Sequence, residues 1–372
     1  MMIFVILYLL RQNRLSNILA STPGSQYLIL FCPLTLIVSM VRDNPDGVLL
    51  AYAFSAFFLI ALFIRSVMTR ALFEGLIATS CAASAFSFLV IVFQRLFCND
   101  NPLYRASSSF MNANYYAAAT EVLILFCFYK CFILPSADHQ ARKFYLAALL
   151  WNVLGLYLSD CRTAFIALGI AIPVMLIMNG QKKTLVFTLS LEALVLIAVT
   201  FLPDLFPRLS DTASDLDLRI GIWQTALLGI VRQPLFGWGG DAYIQIFSRY
   251  GGPEATHAHN LFLDPLLNYG IAGTVLLGLY VRSNLRAIRC MQLYKQDRPR
   301  YNLVAAVLTA VFIHGITDIA MFSVQTGLLL AIVLAVAGIN ENQRQIIPHL
   351  RKYPIWAEQP LSLRVDHHRR PI

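Results

Sequence analysis

The chain alternates long apolar stretches with short polar ones, and this pattern predicts a bundle of membrane-spanning helices. A helix needs about 20 apolar residues to cross a bilayer, and most of these stretches approach that length. Ten stretches follow one another, near residues 27–41, 48–64, 71–97, 113–134, 144–159, 163–178, 184–202, 261–281, 302–321 and 327–339. Residues 1–10 are apolar but short, which suits an incomplete first helix or an interfacial segment. We therefore expect an all-α integral membrane protein with a bundle of about 10–11 transmembrane helices.

Composition agrees with a membrane environment. Of the 372 residues, 58% are hydrophobic and only 13% are charged, whereas soluble proteins have about 25% charged residues. The formal net charge of +9 does not indicate a nucleic-acid partner, because the basic residues lie between apolar stretches and not on one face of a soluble domain. The seven cysteines are scattered and form no CxxC motif, so neither a zinc site nor a disulfide framework is indicated.

The distribution of lysine and arginine predicts the orientation of the chain, because short cytoplasmic loops carry an excess of these residues. One set of alternate loops, together with the C-terminal tail, carries 20 cationic residues. The opposite set carries seven arginines and no lysine. The first set is therefore predicted to be cytoplasmic, and the long loop before residue 260 is predicted to be extracytoplasmic.

The same pattern divides the chain into four segments. These are N-terminal transmembrane helices at 1–202, a long extracytoplasmic loop at 203–259, C-terminal transmembrane helices at 260–339 and a basic cytoplasmic tail at 340–372. Within the loop, apolar residues recur at helical spacing over 216–231, which predicts an amphipathic helix along the membrane interface. A second short apolar run lies at 243–247. We expect the loop to fold as a lid over the outer mouth of the bundle.

Two arginines on the cation-poor outer side are candidates for phosphate binding. Arg162 lies in a tight hairpin at the outer ends of two predicted helices, and Arg219 lies one turn before Trp223 in the amphipathic helix. A planar guanidinium binds phosphate through two parallel hydrogen bonds. Each arginine also has a simpler explanation. Arg162 suits an interfacial arginine paired with Asp160, and Arg219 suits a solvated loop residue with acidic neighbours.

A cluster of His257, His259 and Asn260 begins the next predicted span, and Asp264 follows one turn later. A histidine at the mouth of the bundle can act as a general base, because its ordinary pKa lies near neutrality. His259 is the stronger candidate, since it is nearer the helix and adjacent to Asn260. Two alternatives stay open, a helix cap made by the His/Asn pair and a metal site built on the His-x-His motif. No carboxylate or further histidine lies at useful spacing nearby for the second.

Further polar residues lie in the outer halves of predicted spans. Asn114 opens one span, with Glu121 two turns inside it, and His314 and Asp318 are four residues apart in another. Ionisable residues within spans are costly and usually face the bundle interior or a water-filled cavity. These residues are therefore expected to lie near the same outer site.

These motifs, in this order, resemble the O-antigen ligase and O-antigen polymerase family of bacterial membrane glycosyltransferases. The resemblance covers roughly residues 100–320, and the later motifs lie in or beside a long outer loop, as they do in that family. Six features carry it: MNANYYA at 111–117, SDCRTA at 159–164, Arg219 with Trp223, PLFGWG at 234–239, HAHNLFLD at 257–264 and GIAG at 270–273.

The resemblance implies a reaction in the bacterial inner membrane. A glycan carried on undecaprenyl diphosphate would be attacked at its anomeric carbon by an acceptor hydroxyl on the extracytoplasmic side. Two arginines can neutralise a diphosphate without a metal or other cofactor, so we expect Arg162 and Arg219 to bind it. We expect His259 to take the acceptor proton as general base in an inverting transfer. The wider set of expected substrate contacts is Asn114, Trp223, His257, Asn260 and His314.

The implied partners are the lipid-linked glycan, a glycan, lipid or cell-wall acceptor, and membrane lipids. The acceptor itself stays open, and with it the choice between ligase and polymerase. Three other functions remain alternatives. A non-catalytic transporter or flippase of lipid-linked glycans would place ionisable residues and broken helices at the membrane midplane. A metal-dependent membrane hydrolase would be sensitive to chelators, and a structural subunit would bind no lipid-linked substrate.

Overall fold

The computed structural model describes residues 14–98, 104–134, 138–202, 212–319 and 323–339. Within these ranges the chain forms thirteen α-helices and no strand. They are α1 (Arg14–Ser21), α2 (Ser25–Val41), α3 (Pro45–Val67), α4 (Arg70–Phe97), α5 (Ala113–Phe128), α6 (His139–Leu158), α7 (Arg162–Met178), α8 (Lys182–Phe201), α9 (Thr212–Arg232), α10 (Ala242–Ile246), α11 (Leu263–Cys290), α12 (Arg298–Gly315) and α13 (Val324–Ala335). A π-helical turn, Tyr129–Ile133, continues α5. The predicted N-terminal segment at 1–10 and the tail at 340–372 lie outside the described residues.

The prediction of an all-α membrane protein is confirmed. Among the described residues, four helices are long and apolar enough to cross a membrane, namely α3, α4, α5 with its π-helical turn, and α8. A fifth span results if α1 and α2, which meet at an angle of 114°, are counted together. The count of 10–11 spans from the sequence also includes shorter or more polar helices. For example, α7 is apolar but has 17 residues, and α12 begins with two arginines.

Helix α5 lies at the centre of the bundle. Of the apolar part of α5 and its π-helical turn, 78% is buried, compared with 6% of α8. Its neighbours are α4, α6, α7, α12 and α13. In lipid, helices gain no hydrophobic free energy by associating, so their packing depends on close approach through small side chains. Helix α5 has three consecutive buried alanines, Ala117, Ala118 and Ala119, which allow such an approach. This packing brings the start of α7 and the end of α12 beside the start of α5.

The long loop is folded in its described part. The amphipathic helix expected at 216–231 is present as α9, and the short apolar run at 243–247 corresponds to α10. Both helices pack against α11. They share a small apolar core with it that includes Ile222, Tyr243 and Leu267. Residues 203–211, at the start of the predicted loop, lie outside the described residues.

Helix α11 is broken at Gly270, where φ is 62° and ψ is −166°. The loop segment 234–239 packs into the break. The carbonyl oxygen of Pro234 accepts a hydrogen bond from the N–H of Ile271 at 2.8 Å, and the N–H of Trp238 donates to the carbonyl of Leu267 at 3.1 Å. A break in a membrane helix is tolerated where neighbouring segments satisfy the freed backbone groups. The loop and the two halves of α11 therefore form one hydrogen-bonded unit.

The conformation of Gly270 leads to a stability prediction. An added Cβ would lie 2.4 Å from the backbone carbon of Leu235, and this region of φ and ψ is accessible essentially only to glycine. We expect Gly270→Ala to lower the free energy of unfolding by about 1–3 kcal/mol, measured as a lower thermal unfolding temperature in detergent. Gly278→Ala is the matched control in the same helix, because its Cβ would meet nothing within 4 Å. Equal unfolding temperatures for the two variants would contradict this role of Gly270.

Candidate functional site

A buried carboxylate, Asp318, lies at the centre of the site, just past the end of α12. The residue is 2% exposed. Its Oδ1 accepts hydrogen bonds from Nε2 of His257 at 3.0 Å, from Nδ1 of His259 at 3.1 Å and from the N–H of Ile319 at 2.8 Å. Its Oδ2 accepts from the side-chain amide of Asn114. One carboxylate therefore joins the start of α5, the loop before α11 and the turn after α12.

These hydrogen bonds determine which ring nitrogen of each histidine carries a proton. An ionised carboxylate can only accept, so His257 is protonated on Nε2 and His259 on Nδ1, an assignment drawn from the hydrogen-bond network. Nδ1 of His257 then accepts from the hydroxyl of Thr256 at 2.8 Å. Among the described residues, none bonds Nε2 of His259, whose lone pair stays available for a substrate proton. His259 therefore has a ring nitrogen available to act as a base, whereas both ring nitrogens of His257 are hydrogen-bonded.

Electrostatics keep His259 neutral. Burial lowers the pKa of its imidazole below the ordinary value of 6.5, and the positive charge of Arg219 acts in the same direction. The hydrogen bond to Asp318 opposes this shift without cancelling it. A general base must be deprotonated before it reacts. The ring thus meets this requirement at neutral pH.

The backbone at His259 is held in an unusual conformation. Its φ is 48°, in the left-handed region that non-glycine residues rarely adopt and that recurs at functional sites. The indole N–H of Trp223 donates to the carbonyl of His259 at 3.4 Å. The side chain of Asn260 accepts from the N–H groups of Phe262 and Leu263 at the start of α11 and donates to the carbonyl of Ile316 at 2.9 Å. Trp223 and Asn260, which the sequence predicts as substrate contacts, thus also hydrogen-bond the histidine turn and its surroundings.

Asp264 fixes the turn from the other side. It is 7% exposed, its Oδ1 accepts from the N–H of Ala258 at 3.0 Å, and its Oδ2 accepts from the amide of Asn268 at 2.8 Å. Asn268 in turn accepts from the N–H of Ala242 at 3.1 Å. A chain of hydrogen bonds thus joins the residue between the two histidines to α10 in the loop.

Arg219 presents an unsatisfied positive charge to the site. Its Nη1 is buried and has no hydrogen-bond partner among the described residues. A buried charged donor without a partner costs free energy, and an anionic ligand would satisfy it. The sequence predicted an arginine for phosphate binding at this position, and the surroundings of Nη1 suit that role.

Arg162 is engaged within the protein. It is the first residue of α7 and forms an ion pair with Asp215 of α9. The alternative partner considered from the sequence, Asp160, forms an ion pair with Arg95. Beside Arg162, the hydroxyl of Thr163 lies 3.0 Å from that of Thr317, in the turn that carries Asp318. The two candidate arginines therefore lie on adjoining elements. Arg162 is paired with a carboxylate, whereas Arg219 has a nitrogen without a partner among the described residues.

Two further predicted substrate contacts, Asn114 and His314, are hydrogen-bonded to other side chains inside the bundle. The amide of Asn114 donates to Asp318 and accepts from Nη2 of Arg105 at 2.8 Å. His314 is 2% exposed, and its Nδ1 lies 2.5 Å from Oε1 of Glu121. The site thus contains residues to which the sequence gave no role, chiefly Asp318 and Arg105. The four-residue spacing of His314 and Asp318 was the available signal for Asp318, whereas no local pattern identified Arg105.

The same cluster has the composition of a metal site. Ligand atoms of His257, His259 and Asp318 all lie within 4.8 Å of one another, and two histidines with one carboxylate are a common ligand set. The sequence showed no carboxylate nearby because Asp318 lies 59 residues after His259. The carboxylate also accepts protein donors that a metal would not replace, the N–H of Ile319 on Oδ1 and the amide of Asn114 on Oδ2. We therefore expect protons, and not a metal, between the imidazoles and Asp318.

A protein-family model matches part of this region. Residues 147–278 match the O-antigen ligase family model. The predicted resemblance is confirmed for this segment, which we call the ligase segment. It supports a membrane glycosyltransferase-like role in polysaccharide or cell-envelope biosynthesis. The ligase segment contains Arg162, Arg219, Trp223, His257, His259 and Asn260.

The other comparisons give no further information about the function. No curated protein matches the chain. A solved structure from work described as "Structural coordination of polymerization and crosslinking by a peptidoglycan synthase complex" is similar at 15% sequence identity and a TM-score of 0.44. The match covers 85% of this chain and 97% of that one. At this level of similarity we draw no conclusion from it.

The choice between a proton and a metal at Asp318 leads to a prediction. We expect the purified protein to retain its glycan-transfer rate after exhaustive treatment with chelators, because the two imidazoles and the carboxylate satisfy each other by hydrogen bonds. Elemental analysis of the same sample should show no stoichiometric transition metal. Loss of the rate on chelation, with recovery on adding back Zn²⁺, Mn²⁺ or Mg²⁺, would show that the cluster is a metal centre.

Proposed function

We propose that the protein is a membrane glycosyltransferase that moves a glycan from an undecaprenyl-diphosphate carrier to an acceptor hydroxyl. The reaction takes place on the extracytoplasmic side of a bacterial inner membrane, with the C-terminal tail in the cytoplasm. One observation carries the proposal. A histidine held by a buried aspartate, with its second nitrogen available, lies near a buried arginine nitrogen that has no partner among the described residues. This arrangement provides a base for an acceptor and a cation for a leaving diphosphate.

The arginines serve the donor. A diphosphate leaving group gains negative charge as its bond to the sugar breaks, and a fixed guanidinium stabilises that charge without reorganisation. Nη1 of Arg219 has no partner in the described part of the chain and can donate to the diphosphate. Arg162 adds a second guanidinium at the N-terminus of α7, where the helix dipole also favours an anion. Asp215 balances the charge of Arg162 before the donor arrives.

His259 serves the acceptor. Its Nε2 takes the proton of the acceptor hydroxyl as the oxygen forms a bond to the anomeric carbon. The bond between that carbon and the diphosphate oxygen breaks on the opposite face, so the configuration inverts. Asp318 stabilises the imidazolium that forms, as a carboxylate does beside a histidine base. Undecaprenyl diphosphate leaves with the electron pair, and His259 returns its proton to water.

A transporter of lipid-linked glycans is the second candidate, and the break in α11 favours it, since transporters use broken helices. The position of this break argues for transfer instead. Gly270 is the eighth residue of α11, near the end at which the loop packs, and the loop supplies its hydrogen bonds. A transporter also has no need of a histidine with an oriented, available nitrogen.

Two substitutions separate donor binding from chemistry. We expect His259→Ala to lower the turnover number for glycan transfer by about 10²–10⁴-fold and to leave binding of undecaprenyl diphosphate unchanged. Arg219→Gln should weaken that binding by about ten- to a hundredfold, the loss of one charge-assisted hydrogen bond. Both quantities can be measured on protein in lipid nanodiscs with defined lipid-linked repeat units.

Matched controls exist for both variants. His139→Ala changes an exposed histidine at the start of α6, and Arg232→Gln changes an exposed arginine at the other end of α9; both should behave as wild type. Sizing the wild-type product distinguishes the acceptor classes, because a ladder indicates polymerisation and a single product indicates ligation. Full transfer by a folded His259→Ala protein would rule out the proposed base.

The pH dependence of transfer follows from the lowered pKa of His259. The neutral imidazole is the active form, so the rate should be constant near neutrality. It should fall as the pH decreases through a value below 6.5, the ordinary pKa of histidine. Donor binding depends on guanidinium groups, which stay charged, and should not show this acid limb. Initial rates and donor affinities measured over about pH 5–8 test both statements. A transfer rate that rises on acidification would contradict the assignment.

A further inference from the structure

Beneath Asp318 lies a second buried pair that the proposed reaction does not use. Nδ1 of His314 lies 2.5 Å from Oε1 of Glu121, and the two residues are 2% and 0% exposed. Each keeps one buried polar atom, Nε2 of His314 and Oε2 of Glu121, without a partner among the described residues. Burial of two ionisable side chains within a helix bundle is costly, and simple packing would not require it.

The pair is placed in register with the site. Asn114 and Glu121 are seven residues apart and lie on one face of α5. Asp318 follows His314 by four residues, in the turn just past the end of α12. Two parallel contacts result, Asn114 with Asp318 and Glu121 with His314. We call the second contact the lower rung.

The lower rung also supports the backbone of the site. The N–H of Asp318 donates to the carbonyl of His314 at 3.1 Å, so the turn that carries the carboxylate is built on His314. Thr317 in the same turn contacts Thr163 of α7. Three donors reach Oδ1 of Asp318 over the narrow range of 2.8–3.1 Å. A small displacement of this turn would therefore break at least one of these bonds.

We propose that Glu121 and His314 are positioning residues. Their hydrogen bond holds the outer end of α12 against α5, and so keeps Asp318 where it fixes the proton of His259 on Nδ1. The consequence for catalysis rests on the proposed function, whereas the effect on the His259 ring does not. His314, expected from the sequence to contact substrate, acts through Asp318 instead.

Apolar packing between α5 and α12 does not depend on the lower rung. Val122 and Phe126 on α5 and Val307 and Ala310 on α12 are fully buried in the same apolar core. The helices should thus stay associated when the hydrogen bond is removed. This allows the positioning role to be separated from a purely structural one.

The test compares two replacements of nearly equal volume. Glu121→Gln keeps an acceptor for His314, and Glu121→Met removes it. The tautomer of His259 is read from the ¹⁵N NMR signals of protein labelled with ¹⁵N-histidine. The His259 signal is assigned by its absence in the spectrum of His259→Asn. We expect wild type and Glu121→Gln to show His259 protonated on Nδ1 alone, and Glu121→Met to show a mixture of both tautomers. Glu121→Met should also lower the turnover number by about ten- to a hundredfold, with the KM for the donor unchanged.

Asn152→Leu is the matched control. Its amide is buried and donates to Ser84 and to the carbonyl of Ala148 in α6, away from Asp318. It should lower the unfolding temperature and leave the His259 tautomer as in wild type. If Glu121→Met does not fold, the double variant Glu121→Met with His314→Phe replaces it. Removal of both partners leaves no unpaired buried group and costs little stability.

Each outcome decides a separate question. A folded Glu121→Met or double variant with the wild-type His259 signal overturns the positioning role, even if its stability is lower. A mixed tautomer in those variants, with a single tautomer in Glu121→Gln and Asn152→Leu, supports it. Wild-type protein with the single tautomer but no glycan transfer would overturn the proposed function and leave the positioning role intact.

Discussion

One carboxylate oxygen, Oδ1 of Asp318, accepts hydrogen bonds from two imidazoles of the loop before α11 and from a backbone N–H of its own turn. A buried carboxylate is tolerated only when its lone pairs are satisfied, because desolvation of the charge is costly. The second oxygen receives the amide of Asn114 at the start of α5. Three distant parts of the sequence therefore meet at the Asp318 carboxylate. The other contacts of the site hold these three parts in position around it.

The break in α11 is one such support. Both rings of the histidine turn reach Asp318, and Asp264 in the first turn of α11 accepts the N–H of the intervening Ala258. Beyond it, Gly270 lets the loop segment 234–239 join the helix through backbone hydrogen bonds. Motifs that are far apart in the sequence, 234–239, 257–264 and 270–273, thus belong to one hydrogen-bonded unit. That explains why glycine is required at a position where a helix would otherwise favour alanine.

The sequence predicted the class of fold and the loop helices because both depend on local apolar periodicity. It also singled out His259 and Arg219 as candidates, because they are unusual residue types at the ends of apolar segments. It could not show that Asn260, Trp223 and His314 are hydrogen-bonded within the protein, because that depends on which backbone carbonyl or side chain lies across the bundle. Asp318 was noticed only as a neighbour of His314, since its partners lie about 60 and 200 residues earlier. Such contacts have no local signature.

The charges around His259 suggest an order of events in the proposed reaction. Before the donor binds, Asp215 balances Arg162, whereas Arg219 keeps a nitrogen without a partner among the described residues. Burial is the main cause of the lowered pKa of His259, and the charge of Arg219 adds a smaller contribution in the same direction. A bound diphosphate would neutralise Arg219 and remove that contribution, so the imidazole would become a stronger base once the donor is in place. Coupling of this kind favours activation of the acceptor hydroxyl over activation of water in the empty site.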